Sequence, residues 1–405
     1  MDGHDPCWPR LPKPPGADPS MPVLTEEQRA LRDAVRELAD ARIAPRAAEI
    51  DASAEFPWDI VSLLAEHDVL ALPFPAEHGG LGADLLTLCL AVEQIARVCA
   101  TSSLIVTVQA LGALPLLLAG SDEQKRRWFP DLAAGKMLAA FALTEPEAGS
   151  DAASLRTRAG RDGGQWRIDG NKRFISHGSV AGLVTVFAVT DPDPAAVKAH
   201  RHLTCFAVEQ GTAGFSSGKL EHKMGIRGSP TAELHFDGVC LPDDQRVGQV
   251  GEGFAIAMRT LDRSRPGVAA QAVGLAQGAT EVATRYAAER RQFGRPIGEF
   301  EMVQALLADM AARTEAARQL LYAACEGIEA GSPQTARWSA MCKLVAGDTA
   351  MAVTTDAVQV LGGYGYVSDY PVERMMRDAK ITQLYEGTQQ IQRLVIARDL
   401  LAHGA

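Results

Sequence analysis

Apolar and polar residues follow two different periods along this chain of 405 residues. In the first third, apolar residues such as Leu31 and Val35 recur at the spacing of one helix face. Two longer apolar stretches, about 85–98 and 103–118, predict further helices. Thr25, followed by two Glu and a Gln, has the pattern of a helix N-cap. The first third is therefore predicted to be all-α.

The middle third changes to strand-like patterns. Residues 183–189 and 204–208 are short apolar runs that predict buried strands, and 232–236 alternates with period two. Asp-Gly-Asn at 169–171 lies between alternating segments and predicts a hairpin turn. From Gly253 onward the chain is Ala-rich and returns to helical spacing. The order is therefore helices, strands, helices.

These changes predict an α+β chain of several domains, as a chain of this length favours. The predicted segments are a Pro-rich tail 1–22, an N-terminal α-helical domain 23–140, a middle β-domain 141–247 and a C-terminal α-helical bundle 248–405. No GxGxxG or GxxxxGK[ST] pattern supports a Rossmann or P-loop domain.

Composition narrows the class of protein. A hydrophobic content of 47% and a charged content of 22% are typical of a globular protein, and a net charge of −10 argues against a nucleic-acid partner. Seven cysteines without a CxxC pair suit a reducing compartment, and no metal site is predicted. No apolar run approaches the roughly 20 residues of a membrane helix, and the N-terminus does not resemble a signal peptide. The expectation is a cytoplasmic protein that does not bind membranes.

A short stretch near the C-terminus carries candidate chemistry. Glu386 lies between Tyr385 and Gly387, and a helix is predicted to begin after Thr388. Gly387 lets a ligand approach the backbone closely because it has no Cβ. The carboxylate of Glu386 is either an acid that complements the helix dipole or a catalytic base.

Four motifs together resemble those of the acyl-CoA dehydrogenase family. They lie at 141–151 (FALTEPEAGSD), 289–297 (ERRQFGRPI), 359–365 (QVLGGYG) and 385–388 (YEGT), in the order and spacing of that family. The resemblance runs from about residue 22 to 401. It implies an N-terminal helical domain, a middle β-barrel-like domain and a C-terminal four-helix bundle. It also implies an FAD enzyme that oxidises an acyl-CoA thioester to the trans-2-enoyl-CoA and passes electrons to an electron-transfer flavoprotein.

The resemblance implies roles for the residues of the substrate site. Glu386 removes the substrate α-proton, and its backbone N–H binds the thioester oxygen together with a ribityl hydroxyl of FAD. Gly387 leaves room for that approach. Asp262 and Arg265 match residues that contact the CoA portion in relatives, although an i,i+3 ion pair on a solvated helix face is the alternative. Ser264 occupies the position at which some relatives carry the base, and a serine cannot serve as that base.

FAD is expected to contact both the middle and the C-terminal domain. The matching residues of the middle domain are Phe141, Leu143, Thr144, Gly149, Ser150, Phe174, Ile175 and Ser176. Those of the C-terminal domain are Arg290, Gln292, Phe293, Gln359, Gly362, Gly363, Thr388 and Gln390. Ser150 is also placed to reach CoA, and His177 stands where Asn is common. Several residues of the second set match groups that reach the FAD of a neighbouring subunit, which implies a homo-oligomer, a dimer of dimers.

Two other functions share this fold. One is an oxidase that passes electrons to oxygen, and the other is a binding scaffold without FAD or activity. An acyl-carrier-protein thioester is an alternative substrate to acyl-CoA. The base of the acyl pocket is expected at Ser103, Leu104 and Thr107, where side-chain bulk sets the depth, but the sequence does not define the chain length.

Overall fold

The computed structural model describes residues 24–404, so the predicted Pro-rich tail 1–22 lies outside the described residues. The predicted fold class is confirmed: helices come first, a β-sheet follows, and long helices end the chain. Each of these three parts contributes to the candidate site.

The N-terminal part consists of six helices joined by short turns, including 3-10 segments and one π-helical segment at Ala39–Ile43. The helices are α1 (Glu26–Leu38), α2 (Ala47–Ser53), α3 (Trp58–Glu66), α4 (Leu85–Ala96), α5 (Ala100–Ala119) and α6 (Asp122–Ala133). Thr25 caps α1, since its hydroxyl accepts a hydrogen bond from the Gln28 N–H while the Gln28 side chain accepts one from the Thr25 N–H. The predicted cap is therefore confirmed.

Helix α5 corrects one expectation from the sequence. Its 20 residues are long and apolar enough to cross a membrane, whereas no run of that length was expected. The interruptions at Gly112 and Pro115 obscure the run in the sequence. In the structure 67% of its most apolar 18-residue window is buried inside the protein, as in the core helix of a globular fold.

Eight strands of the middle part form one mixed sheet. The strands are β1 (Ala139–Ala142), β2 (Arg158–Asp162), β3 (Gln165–Ser176), β4 (Leu183–Val189), β5 (Leu203–Glu209), β6 (Phe215–Leu220), β7 (Thr231–Leu241) and β8 (Arg246–Val247), with a short helix α7 (Pro194–Lys198) before β5. The order is β6-β7-β3-β2-β4-β5-β8, and β1 pairs in parallel with β4. The predicted buried strand 183–189 coincides with β4.

The predicted hairpin turn at 169–171 is wrong. These residues lie inside β3, and the turn between β2 and β3 is formed by Gly163 and Gly164. Both glycines have positive φ values, 55° and 90°, which a two-residue turn between antiparallel strands requires. Gly170 instead lies at an irregularity in the pairing of β3 with β7, so its glycine marks a bulge.

The C-terminal part is built from five helices and one small hairpin. The helices are α8 (Gly253–Glu289), α9 (Glu301–Glu329), α10 (Thr335–Leu361), α11 (Val372–Ala379) and α12 (Gln389–His403), and the hairpin strands are β9 (Arg291–Gln292) and β10 (Arg295–Pro296). Helix α10 packs against α8, α9 and α12. Helix α4 packs closely on α8, because a Cβ at Gly274 or Gly278 would overlap the α4 backbone.

Hydrophobic packing joins the sheet to the first half of α8. One core cluster contains Leu143 after β1 together with Ile256 and Ala257 of α8, and Phe141 and Leu261 pack against it. The first turns of α8 and the residues at the end of β1 therefore belong to one hydrophobic core.

Candidate active site

The loop that carries Glu386 has an unusual backbone. Glu386 and Gly387 have φ values of 53° and 90°, and a left-handed conformation is uncommon for a residue with a Cβ. Thr388 ends the loop as the N-cap of α12, where its hydroxyl accepts a hydrogen bond from the Ile391 N–H at 3.4 Å. The predicted cap is confirmed, and the Thr388 hydroxyl is engaged in it.

Two residues of α8 hold Glu386 from one side. The Ser264 hydroxyl donates a hydrogen bond to Oε2 of the Glu386 carboxylate. Arg265 donates from Nε to the Glu386 carbonyl oxygen at 3.2 Å, and from one terminal nitrogen to Asp262 Oδ1 at 2.9 Å. Arg265 is buried, so these two donors point inward, toward the loop and toward its own helix. The i,i+3 ion pair is formed, but on a largely buried helix face and not on the solvated face that the alternative assumed.

Burial raises the pKa of Glu386 above the ordinary value of a glutamate, because the charged carboxylate loses water. The Ser264 hydrogen bond and the positive charges of Arg265 and Lys343 act in the opposite direction, since each favours the ionised form. The loss of water outweighs these effects, so the net shift of the Glu386 pKa is upward. Such a carboxylate is a stronger base than one in water.

A largely apolar cavity of about 340 Å³ lies between α4, α5 and α8, and Ser264 connects it to Glu386. Ser264, which donates to the carboxylate, lines this cavity together with Thr107 and Gly267. The other lining residues are Pro73, Ala83, Asp84, Leu85, Leu88, Ala110, Leu111, Leu114, Leu117, Leu118, Arg263 and Glu329. Of the residues expected at the pocket base, Thr107 lines the cavity, whereas Ser103 is buried and accepts a hydrogen bond from Gln271 at 3.0 Å.

The edge of the sheet near Phe141 forms a second part of the site. The end of β1 and the end of β3 are joined, because the Arg173 N–H donates to the Thr144 carbonyl at 2.8 Å. The buried Lys172 donates to the Leu143 carbonyl at 3.1 Å and pairs with Glu145 at 2.7 Å. The segment 141–144 is therefore held rigidly against β3.

The side chains at this edge point in different directions. Phe174 has a φ of 58° and a ring that is 56% exposed, with the Arg173 guanidinium 5.0 Å from its centroid. Ile175 points the other way, into the sheet core, so only its backbone faces a ligand. Ser176 is half-buried, and Gly149 and Ser150 are exposed in the loop between β1 and β2. An exposed aromatic ring beside backbone polar groups fits the packing and hydrogen bonding of a flavin ring.

A third group of predicted residues lies at the far end of α8. Arg290, Gln292, Gly362 and Gly363 line one open cavity of about 510 Å³, in which the Arg290 guanidinium lies 5.3 Å from the Tyr364 ring centroid. The remaining lining residues are Tyr286, Ile297, Val360, Leu361 and Val367. A Cβ at either glycine would meet no atom within 4 Å. A guanidinium and an amide beside glycines that leave space fit a pyrophosphate.

Other predicted cofactor residues are exposed around the same region. Phe293 is 92% exposed at the tip of the β9–β10 hairpin. Gln359 is exposed near the end of α10, and Gln390 is exposed in the first turn of α12. The side chains of Phe293, Gln359 and Gln390 therefore face solvent. The structure brings together only the other four predicted residues of this region, Arg290, Gln292, Gly362 and Gly363.

Sequence reasoning did not identify two side chains that hold the loop of Glu386. Lys343 of α10 is buried and donates to the Gly387 carbonyl at 2.8 Å. Gln392 of α12 donates from its amide to the carbonyls of Glu386 at 3.1 Å and Gly387 at 2.8 Å. The signal for Lys343 was a charged residue on the buried face of a helix, between Cys342 and Ala346. Such a residue is rarely buried without a partner.

Comparison with known proteins accounts for almost the whole described chain. Three family models match: "Acyl-CoA dehydrogenase, N-terminal domain" at residues 25–136, "Acyl-CoA dehydrogenase, middle domain" at 140–239 and "Acyl-CoA dehydrogenase, C-terminal domain" at 251–401. A probable acyl-CoA dehydrogenase of Mycobacterium leprae is 50% identical over 378 residues, which cover 93% of this chain and 96% of that protein.

Solved structures agree with this match. Butyryl-CoA dehydrogenase of Megasphaera elsdenii has a TM-score of 0.90 and 40% identity, covering 94% of this chain and 99% of that one. A chain from a structure described as an electron transferring flavoprotein of Acidaminococcus fermentans has a TM-score of 0.90 and 43% identity over the same shares. The chain therefore belongs to the acyl-CoA dehydrogenase family, whose members are FAD-dependent oxidoreductases.

Proposed function

We propose that this enzyme converts a saturated acyl-CoA to the trans-2-enoyl-CoA, with Glu386 as the base. One observation carries the proposal: Ser264 both lines the apolar cavity and donates to the Glu386 carboxylate. The carboxylate is thus at the edge of a space that fits an acyl chain. An acid that only complemented the dipole of α12 would need neither this cavity nor the loss of water that raises its pKa.

The residues around Glu386 suit removal of a weakly acidic proton. The α-hydrogen of a thioester leaves as a proton, and a carboxylate shielded from water takes it more readily than a solvated one. FAD, when bound, supplies the hydride acceptor for the β-carbon. Ser264 and Arg265 orient the base before the substrate enters, since one donates to its side chain and the other to its backbone.

The Glu386 backbone N–H is available for the thioester oxygen. Among residues 24–404 it donates no hydrogen bond within the chain. Gly387 has a positive φ, and its missing Cβ leaves room for the Gln392 amide, which holds the loop. A backbone donor aimed at the developing oxyanion stabilises the transition state more than the ground state.

We propose an electron-transfer flavoprotein as the electron acceptor and a dimer of dimers as the assembly. The solved neighbour from Acidaminococcus fermentans, described as an electron transferring flavoprotein, supports the choice of acceptor. The exposed Phe293, Arg290 and Gly363 support a subunit contact that covers the dinucleotide. Butyryl-CoA dehydrogenase at 40% identity supports an acyl-CoA substrate.

The proposal is tested by anaerobic titration of the FAD-loaded enzyme with saturated acyl-CoAs of short, long, branched and cyclic chains. We expect at least one of them to bleach the flavin absorbance and to yield the trans-2-enoyl-CoA. An enzyme that binds FAD but is bleached by none of them would contradict the proposed reaction. The same acyl groups on an acyl carrier protein separate the two thioester classes.

A second measurement identifies the acceptor. The reduced enzyme is mixed with oxygen or with an electron-transfer flavoprotein, and flavin reoxidation is followed by stopped flow. Faster reoxidation by the flavoprotein is expected. Faster reoxidation by oxygen would assign the enzyme to the oxidase alternative while leaving Glu386 as the base.

A further inference from the structure

A buried lysine lies directly beneath the catalytic loop. Lys343 is fully buried on α10, and its ammonium donates to the Gly387 carbonyl at 2.8 Å and to Gln389 Oε1 at 3.1 Å. Removing an ammonium from water is costly unless it is well paired, and burial here lowers the pKa of Lys343 to about 8. A neutral side chain of similar shape would fill this space without that cost.

Charged groups from three elements act on this lysine. Glu386 of the loop and Asp348 of α10 attract it, whereas Arg265 of α8 repels it. Its second partner, Gln389, is itself fixed, because the Gln389 amide donates to the Leu344 carbonyl at 2.7 Å and to Asp348 at 3.0 Å. The ammonium is therefore held in one place between α10 and the loop.

The loop needs external support because of its backbone. Glu386 has a φ of 53°, a conformation that costs free energy and persists only where the surroundings impose it. Three side chains impose it by donating to the carbonyls of Glu386 and Gly387. Arg265 and Gln392 reach the first of these carbonyls, and Gln392 and Lys343 reach the second. Arg265 and Lys343 are the two that also bring positive charge to the Glu386 carboxylate.

We propose that Lys343 is a positioning residue for the catalytic base: it anchors the Gly387 carbonyl and its charge keeps the Glu386 carboxylate ionised. This inference rests on the proposed role of Glu386 as the base. Lys343 contributes no atom to the reaction, since its ammonium contacts the loop from below and lines neither cavity described above.

The sign of the charge effect is fixed. A positive charge favours the ionised carboxylate, so removal of Lys343 raises the pKa of Glu386. The base works only when ionised, so the acidic limb of the pH–rate profile moves to higher pH. The groups that face the carboxylate from the other elements, Ser264 and Arg265 on α8, remain in place and keep their own effects.

The experiment compares Lys343→Met, Lys343→Gln and Lys380→Met as FAD-loaded enzymes. Lys380 is an exposed lysine on the same C-terminal segment, so its variant is a control for the loss of one charge. The pH profile of flavin reduction and the KM for the acyl-CoA are measured. Deuterium exchange of the amides in the loop and the first turn of α12 is measured by mass spectrometry.

For Lys343→Met we expect the acidic limb to move up by about one pH unit, so flavin reduction should slow by about tenfold at pH values below the limb and less above it. The KM should change less than twofold, and the loop amides should exchange faster. Lys343→Gln keeps a donor for the Gly387 carbonyl, so its loop should exchange as in the wild type while the limb still shifts. Lys380→Met should match the wild type in all readouts.

Several results would overturn the inference. One is an unchanged acidic limb in both folded Lys343 variants, and another is a raised KM with an unchanged rate of reduction, which would indicate substrate binding. If Lys343→Met does not fold, the acidic limb of Lys343→Gln alone tests the effect of the charge. Failure of the proposed function is distinguishable, because the wild type would then not be bleached by any acyl-CoA, while the exchange measurement would still test the anchor.

Discussion

The two ends of the candidate site differ in how far their functional groups find partners within a single chain. At the base end, the Glu386 carboxylate and the Gly387 carbonyl have partners on α8, α10 and α12. At the dinucleotide end, Arg290 and Gln292 line an open cavity, and the Phe293 ring is 92% exposed. Folding of a single chain gives the groups of the base end their hydrogen-bond partners. At the dinucleotide end the predicted cofactor residues stay exposed to solvent.

This difference separates two kinds of defect. Side chains at the base end are fixed by hydrogen bonds within the chain, so a change there should alter the rate of proton removal at constant FAD content. If FAD and a partner subunit cover the groups at the dinucleotide end, as proposed, a change there should alter FAD retention. Large exposed aromatic side chains such as Phe293 and Tyr366, which is 86% exposed, are ones that the proposed subunit contact would cover.

The largest effect is expected for Glu386→Gln. The amide keeps the size of the side chain and a partner for Ser264 but cannot accept the α-proton, so flavin reduction should slow by about 10²- to 10⁴-fold. FAD content and acyl-CoA affinity should be retained. Stopped-flow bleaching measures the rate, with the exposed Glu66→Gln as the control. Retained bleaching at the wild-type rate would refute the assignment of the base.

The next effect is expected at the other end, for Arg290→Ala. Loss of a charged donor to a pyrophosphate removes about 1.5–3 kcal/mol, so FAD affinity should fall about tenfold to a hundredfold. The bleaching rate of enzyme saturated with FAD should stay near that of the wild type. Flavin per subunit is measured after gel filtration, with Arg126→Ala, an exposed arginine on α6, as the control. Normal FAD retention would remove Arg290 from the cofactor site.

A smaller effect is expected for Gly387→Ala. The new Cβ would lie 2.7 Å from Gln392 Nε2 at a φ of 90°, so the loop must shift. A displacement that costs about 1–2 kcal/mol should slow flavin reduction about fivefold to thirtyfold. Gly331→Ala is the matched control, because it has a φ of 71° but no atom within 4 Å of its Cβ. Equal rates in the two variants would mean that the loop tolerates movement.

The sequence predicted the elements more completely than the contacts between them. Strand β4 was located to the residue, because an apolar run with flanking glycine and polar residues is a local signal. The hairpin was misplaced from Gly163 to Gly170 because both positions carry turn residues, and only strand register distinguishes a turn from a bulge.

The residues of the candidate site show the same contrast between local sequence signals and long-range contacts. Glu386 was proposed as the base from a motif, because the motif consists of adjacent residues in the sequence. Lys343 and Gly387 are 44 positions apart, and their contact depends on how α10 packs beneath the loop. The inward direction of Ile175 likewise follows from the pairing of β3 with β7. Long-range packing of this kind has no local signature in one sequence.

The smallest effect, and the sharpest test of the contrast between the two ends, is expected for Gly363→Ala. A Cβ at this position meets nothing within 4 Å in a single chain, so the free energy of unfolding of the isolated chain should change by less than about 0.5 kcal/mol. If FAD and a partner subunit cover Gly363, the methyl group intrudes on them, and FAD retention should fall severalfold.

The measurements for Gly363→Ala are denaturant unfolding without FAD and flavin per subunit with FAD. Gly160→Ala on β2, also with open space around its Cβ, is the control that should change neither. A normal FAD content in Gly363→Ala would show that neither FAD nor a partner subunit covers Gly363. It would therefore contradict a cofactor site shared between subunits.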